Sequence, residues 1–165
     1  MRIAFTGPES CGKSTLSIWC AEHFRLPLSE EFAREYLVSR PSYELADLDL
    51  ITIGQWKDWT NKGPHLVADT EMTVMKIWSE VRFQFVSPEI EQAYKLQQFD
   101  HYFLCAPDIP WEADELRENP FDREVLFALY KQALENEDRP FSILSGDLET
   151  RQKVIMNVLK DLLIS

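Results

Sequence analysis

The sequence predicts an α/β protein, a three-layer α/β/α sandwich built on a five-stranded, mostly parallel sheet. Two observations predict it. Short apolar runs alternate along the chain with longer stretches of helical periodicity. The first of those runs leads straight into "GPESCGKST" at residues 7–15, where Gly7, Gly12, Lys13 and Ser14 have the G-x-x-x-x-G-K-[ST] spacing of a phosphate-binding loop. The competing reading is a small-residue turn that happens to contain a lysine. The flanks argue against it, because this loop needs a buried strand before it and a helix after it.

Each element follows in order. "IAFTG" (3–7) is short, apolar and β-branched at its start, the pattern of a buried strand. After Lys13, Leu16, Trp19, Cys20 and His23 fall at i, i+3, i+4 and i+7, one face of a helix. "LPLSEE" (26–31) is a weak second strand, "HLVADT" (65–70) a third, "HYFLCAP" (101–107) a fourth and "FSILSGD" (141–147) a fifth. Helical spans lie around 43–61, 71–85, 88–98 and 121–136. In the last, 148–163, Val154, Ile155, Val158, Leu159 and Leu162 form one core-packing stripe. Strands alternating with helices predict a parallel sheet covered on both faces, and ligands of such sheets bind at the carboxyl ends of the strands.

Size and charge narrow the function. With 165 residues, 45% hydrophobic and 27% charged, the chain reads as one globular domain, 1–165, with a lid at about 108–124. No apolar stretch approaches the ~20 residues that span a bilayer, and the N-terminal apolar run is too short for a signal peptide. A membrane partner is not expected. The net charge of −11 argues against nucleic acid, whose binders carry basic patches. Three cysteines without a C-x-x-C pair fit the reducing cytosol. Cys20 and Cys105 read as core. Cys11 reads as filling a tolerant loop position, with an oxidisable thiol as the alternative. A homo-oligomer stays open.

The strand ends carry the candidate chemistry. Backbone N–H groups of the loop and the start of the following helix point at a phosphate. Lys13 would reach the β- and γ-phosphates, and the Ser14 hydroxyl would hold Mg²⁺. Asp69 ends the third strand, where such enzymes keep a second Mg²⁺-site group; helix capping by Asp69 or Thr70 is the plain alternative. Glu30 and Glu31 end the second strand. A carboxylate there, with Glu31 preferred, would accept the proton of an attacking hydroxyl, or would simply favour a helix N-terminus. Arg117 and Arg123 flank Asn119-Pro120 after the fourth strand. They are candidates for charge stabilisation over a transferring phosphoryl group, against a solvated helix surface.

"GPESCGKST", "EEFAREYL", "ADTEMTVMKIW", "DIPWEADELREN" and "SGDLETR" occur in this order and resemble the ribosylnicotinamide kinase domain of NadR-type proteins, from residue 1 to about 160. The resemblance implies a P-loop kinase-like fold and transfer of the ATP γ-phosphate to the 5′-hydroxyl of nicotinamide riboside, giving nicotinamide mononucleotide. It implies ATP phosphates on Gly7, Glu9, Ser10, Cys11, Gly12, Lys13, Ser14 and Thr15. It places Glu31, Arg34, Asp69 and Glu71 on the substrate side, and Trp111, Arg117 and Arg123 in the lid. Full NadR-type proteins also carry an adenylyltransferase domain, for which this chain has no room. The residue before the matched glutamate is often apolar or aromatic in the family, and here it is Glu30.

Other kinases remain in view. A nucleoside monophosphate acceptor would call for several arginines, whereas residues 41–60 carry Glu44, Asp47, Asp49 and Asp58 against Lys57. A small GTPase is disfavoured because "NKGP" (61–64) lacks the aspartate of N-K-x-D. A non-catalytic ATP sensor would need Gly12 and Lys13 but neither Glu31 nor the arginines. Nicotinamide riboside is a flat cation, so its pocket should offer aromatic faces and carboxylates. At least one of Trp56, Trp78 and Trp111 is expected to line that site, with Glu30 or Asp69 nearby; core packing is the alternative for each.

Overall fold

The computed structural model describes residues 1–38, 40, 42–112 and 122–164. Its strands are β1 (Arg2–Thr6), β2 (Leu28–Ser29), β3 (Leu66–Ala68), β4 (His101–Cys105) and β5 (Phe141–Leu144). They form one sheet in the order β2-β3-β1-β4-β5, and every pairing is parallel. The helices are α1 (Lys13–Phe24), α2 (Phe32–Leu37), α3 (Leu45–Lys62), α4 (Met72–Phe83), α5 (Pro88–Leu96), α6 (Arg123–Asn136) and α7 (Leu148–Ile164).

The central strands β1, β3 and β4 are mostly apolar because the middle of the sheet is buried on both faces. Alternate residues serve different layers. Ile3, Phe5, Phe103 and Cys105 join α1 and α7 in one core cluster. Ala4, Tyr102 and Leu104 join α3, α4, α5 and α6 in the other. β1 lies at the centre, paired with β3 on one side and β4 on the other. The loop after β1 is therefore flanked by the ends of both neighbours.

Several expectations change in detail. β2 is only Leu28–Ser29 rather than 26–31, since it is an edge strand bonded to β3 alone. The third, fourth and fifth strands end sooner, because Asp69, Ala106 and Ser145 begin the loops that build the site. The α1 face is Leu16, Ser17, Cys20 and Ala21. Its small residues let the helix approach the sheet, while Trp19 and His23 stack on each other at the rim with centroids 5.0 Å apart. α2 stands as a helix of its own, packed so closely on α3 that a Cβ at Gly54 would meet Phe32 Cε1 at 2.2 Å. Arg117 and most of the expected lid lie outside the described residues. Among the described residues, no helix is long and apolar enough to cross a membrane.

Candidate active site

The phosphate loop leaves β1 through Gly7, whose φ of 129° already favours glycine. A Cβ there would meet the Cys105 carbonyl oxygen at 2.7 Å, so a side chain would push the loop off the end of β4. Gly12, at φ 87°, is the left-handed residue that caps α1. Lys13 Nζ lies across the loop and donates to the carbonyls of Gly7 at 2.9 Å and Pro8 at 2.6 Å. Burial alone would lower its pKa. The fields of Cys11, Glu31, Cys105 and Asp69 outweigh that and hold it above its ordinary value. Cys11 points inward: it is buried against the core and donates to the Pro8 carbonyl at 2.9 Å. Burial pushes its thiol up, but a hydrogen bond with Cys105 and the Lys13 charge bring it down to about 6. The Cys11 side chain is thus taken up inside the fold, which leaves its backbone as the part open to a ligand of the loop.

At the end of β3 two carboxylates separate into different roles. Asp69 is buried, yet its Oδ1 has no hydrogen-bond partner among the described residues. Glu71 is fully buried and fully occupied. It accepts from Thr6 Oγ1, Thr73 N, Thr73 Oγ1 and Gln97 Nε2 at 2.6 to 2.7 Å, and Arg139 lies 3.9 Å away. Glu71 caps α4 and ties it to β1 and the end of α5, and it lines neither cleft of the site. The expected cap at Asp69 or Thr70 falls to Glu71, which leaves Asp69 available.

At the end of β2, Gln55 of α3 reaches across and fixes the chain. Its amide donates to Ser29 Oγ at 2.9 Å and Glu30 O at 3.1 Å, and accepts from Phe32 N at 2.9 Å. These bonds place Glu31, which pairs with Arg34 at 2.9 Å. Burial raises the pKa of Glu31 and the Asp69 charge adds to this, with Lys13 and Arg34 acting against it.

A cleft of about 570 Å³ opens over these groups. The whole loop from Gly7 to Thr15 lines it, with Glu31 and Arg34 of the β2 end, Val74, Ile77, Trp78 and Arg82 of α4, and Tyr130 of α6. Trp78 is fixed by donating from Nε1 to the Tyr43 hydroxyl at 2.8 Å. A second cleft of about 690 Å³ shares Ser14, Glu31 and Arg34 and adds Glu30, Asp58 and Asp69. Ser14 and Asp69 thus face one space with an unpartnered buried carboxylate oxygen, a donor set of hard oxygens that suits Mg²⁺.

The other expected residues lie elsewhere. Trp56 packs on the core beside Trp59, with centroids 5.8 Å apart, and lines neither cleft. Trp111 lies under the Arg123 guanidinium at 5.7 Å, also outside both clefts. Arg123 donates to the carbonyls of Ser10 and Ile109 at 3.0 Å, so its donors go to backbone. The acidic residues of 41–60 are mostly occupied too. Asp47 accepts from Tyr36 and the Glu44 amide, and Asp58 from Ser29. The sequence reading gave no role to three residues of the site region: Gln55, Arg82 and Arg151, the last quoted only as the end of "SGDLETR". Arg151 interrupts the apolar stripe of α7, and it is 2% exposed. An arginine at a buried position of the helical period was the available signal.

A five-stranded parallel sheet with a phosphate loop at the end of its central strand defines a P-loop protein of kinase-like architecture. The chain belongs to the AAA domain family, which matches residues 2–151. It is 25% identical, over 98% of its length, to the trifunctional NAD biosynthesis/regulator protein NadR of Salmonella typhimurium. To the protein of that name from Escherichia coli it is 28% identical over 84% of its length. The chain spans 42% and 37% of those relatives. Among solved structures, a NadR protein in complex with NR superposes with a TM-score of 0.79 at 21% identity, over 96% of this chain and 48% of that one. A deoxyadenosine kinase from M. mycoides with bound dCTP gives 0.63 at 18% identity, over 98% of this chain and 100% of that one.

Proposed function

We propose that this protein is a kinase that transfers the γ-phosphoryl group of ATP to the 5′-hydroxyl of nicotinamide riboside, in the cytoplasmic salvage of NAD. The observation that carries the reading is Trp78, held in the same cleft as the phosphate loop and Glu31. An indole face beside a carboxylate suits a flat cationic ring. The likeness to NadR supports it.

The roles follow from position. Loop N–H groups and Lys13 hold the phosphates. Lys13 would leave the Gly7 and Pro8 carbonyls to reach them. Ser14 and Asp69 would hold the Mg²⁺ that accompanies ATP and neutralises phosphate charge. The 5′-hydroxyl oxygen attacks the γ-phosphorus, the bond to the β-bridging oxygen breaks, and ADP leaves. Glu31, with its raised pKa, takes the hydroxyl proton. Arg34 holds Glu31 in place.

Arg34 and Arg82 in the cleft favour a second reading, an acceptor that carries its own phosphate. The carboxylates of 41–60 no longer oppose it, because caps and tethers occupy them. One experiment separates these readings: purified protein with Mg-ATP and a panel of ribosides and nucleoside monophosphates, with products identified by mass. Nicotinamide mononucleotide as the main product supports the first reading. Diphosphate products from monophosphate acceptors support the second, and ATP binding without any product means a sensor.

A further inference from the structure

Two consecutive carbonyls of the phosphate loop are each held by an arginine. Ser10 O accepts from Arg123 Nη1 at 3.0 Å, and Cys11 O accepts from Arg151 Nη1 at 2.8 Å. Arg151 does more than cap one carbonyl. Its Nε donates to Gly146 O at 2.9 Å, and Nη2 donates to Ala106 O at 3.1 Å and pairs with the Asp108 carboxylate. The other Asp108 oxygen accepts from Gly146 N at 2.6 Å. One buried guanidinium therefore joins the phosphate loop, the end of β4 and the loop after β5.

The peptide plane gives this contact a consequence. In a trans peptide the C=O and the N–H point in opposite directions. Each arginine therefore fixes the N–H of the peptide whose carbonyl it holds: Arg123 that of Cys11 through Ser10 O, and Arg151 that of Gly12 through Cys11 O. Those N–H groups belong to the set that a phosphate loop offers its ligand. The guanidinium also lies near the loop backbone: Nη1 would be 3.7 Å from a Cβ at Gly12. Its charge adds to the local positive field, partly offset by Asp108.

We infer that Arg151 is a positioning residue for nucleotide phosphates, orienting loop N–H groups through the Cys11 carbonyl without touching the ligand. The inference rests on the reading of the loop as a nucleotide site, and not on which acceptor is phosphorylated. Lysine would not substitute, since a single ammonium cannot reach acceptors spread over a planar fork.

The test measures ATP and ADP affinity by calorimetry, without acceptor, for the whole chain and for Arg151→Met and Arg151→Lys. Circular dichroism sets a temperature at which each variant is folded. Both variants should bind ATP and ADP about tenfold more weakly or worse, the scale of losing charge-assisted hydrogen bonds that orient a binding group. A purely scaffolding arginine would lower the melting temperature yet leave affinity within twofold of wild type, and that result overturns the inference. Should both variants fail to fold, Asp108→Asn decides. It removes the charge partner and keeps an oxygen for Gly146 N. About threefold weaker ATP binding supports the role of Arg151, because lost orientation then outweighs the field gained by removing the Asp108 charge; unchanged or tighter binding overturns it. Failure of wild type to phosphorylate any riboside would defeat the proposed reaction and leave the ATP result standing.

Discussion

The two walls of the cleft over the phosphate loop are made of different material. The phosphate wall is backbone. It consists of the loop from Gly7 to Thr15, with Gly7 against Cys105, Lys13 across it and two arginines on its outward carbonyls. The acceptor wall is side chains. Glu31 and Arg34 come from the start of α2, which Gln55 pins in place, and Trp78 and Arg82 come from α4. Phosphate binding needs N–H groups and a cation, which any P-loop protein can offer. On the proposed reading, choice of acceptor depends on a few side chains from separate elements. Damage to the first wall should therefore stop all phosphoryl transfer, and damage to the second should change which molecule receives it.

The largest expected effect lies on the phosphate wall. Lys13→Ala should cut kcat by about 10²–10³-fold or more, the usual scale for one electrostatic group at a developing charge. Its melting temperature should stay near that of wild type, because the hydrogen bonds of the Lys13 ammonium all stay within the loop, to the Gly7 and Pro8 carbonyls and the Cys11 sulfur. Steady-state rates beside a thermal melt check this. Retained turnover would break the distinction between the walls.

Next comes Glu31, where the walls meet. Glu31→Gln should lower kcat by about 10²-fold or more, as for loss of a general base, with ATP affinity similar. A base works deprotonated, and burial raises the Glu31 pKa. The rate should therefore fall as pH drops through a value above the ordinary carboxylate range, and the glutamine variant should lose that limb. A pH profile of kcat for both proteins reads this directly.

Asp69 and Glu71 sharpen the contrast two residues apart. Asp69→Asn should reduce activity and weaken its dependence on Mg²⁺ while leaving the melt almost unchanged. Glu71→Ala should cost about 3–5 kcal/mol of stability, the scale for breaking a buried charged network, as read by chemical denaturation. The smallest effect belongs to Trp78. Trp78→Leu should raise the acceptor KM alone, by the equivalent of about 0.5–2 kcal/mol. Trp56→Leu should lower stability and leave KM unchanged.

Much of the phosphate wall was legible in the sequence, because its spacing is a backbone requirement and the glycines mark it. The strands were legible for a related reason: a sheet buried on both faces needs unbroken apolar runs. The acceptor wall was legible only in outline. The sequence offered Glu31, Asp69, Trp78, Glu71, Trp56 and Trp111 alike; the fold sets the first three along the two clefts and the other three outside them. A carboxylate that caps a helix and one that faces a cleft look alike in a sequence; here Gln97 and Thr6 decide which is which. The acidic run at 41–60 reads as free charge in the sequence for the same reason, since the partners that occupy much of it are mostly distant in the chain. Arg123 drew attention as a cation and is occupied by two carbonyls.

The most direct measurement of the central claim compares kcat/KM for nicotinamide riboside with that for its neutral reduced form under saturating Mg-ATP. A wall that reads the cation through Trp78 and Glu31 predicts a preference of about tenfold or more, the equivalent of 1.4 kcal/mol. Equal phosphorylation of the two ribosides, with the ratio unmoved in Trp78→Leu, would contradict it.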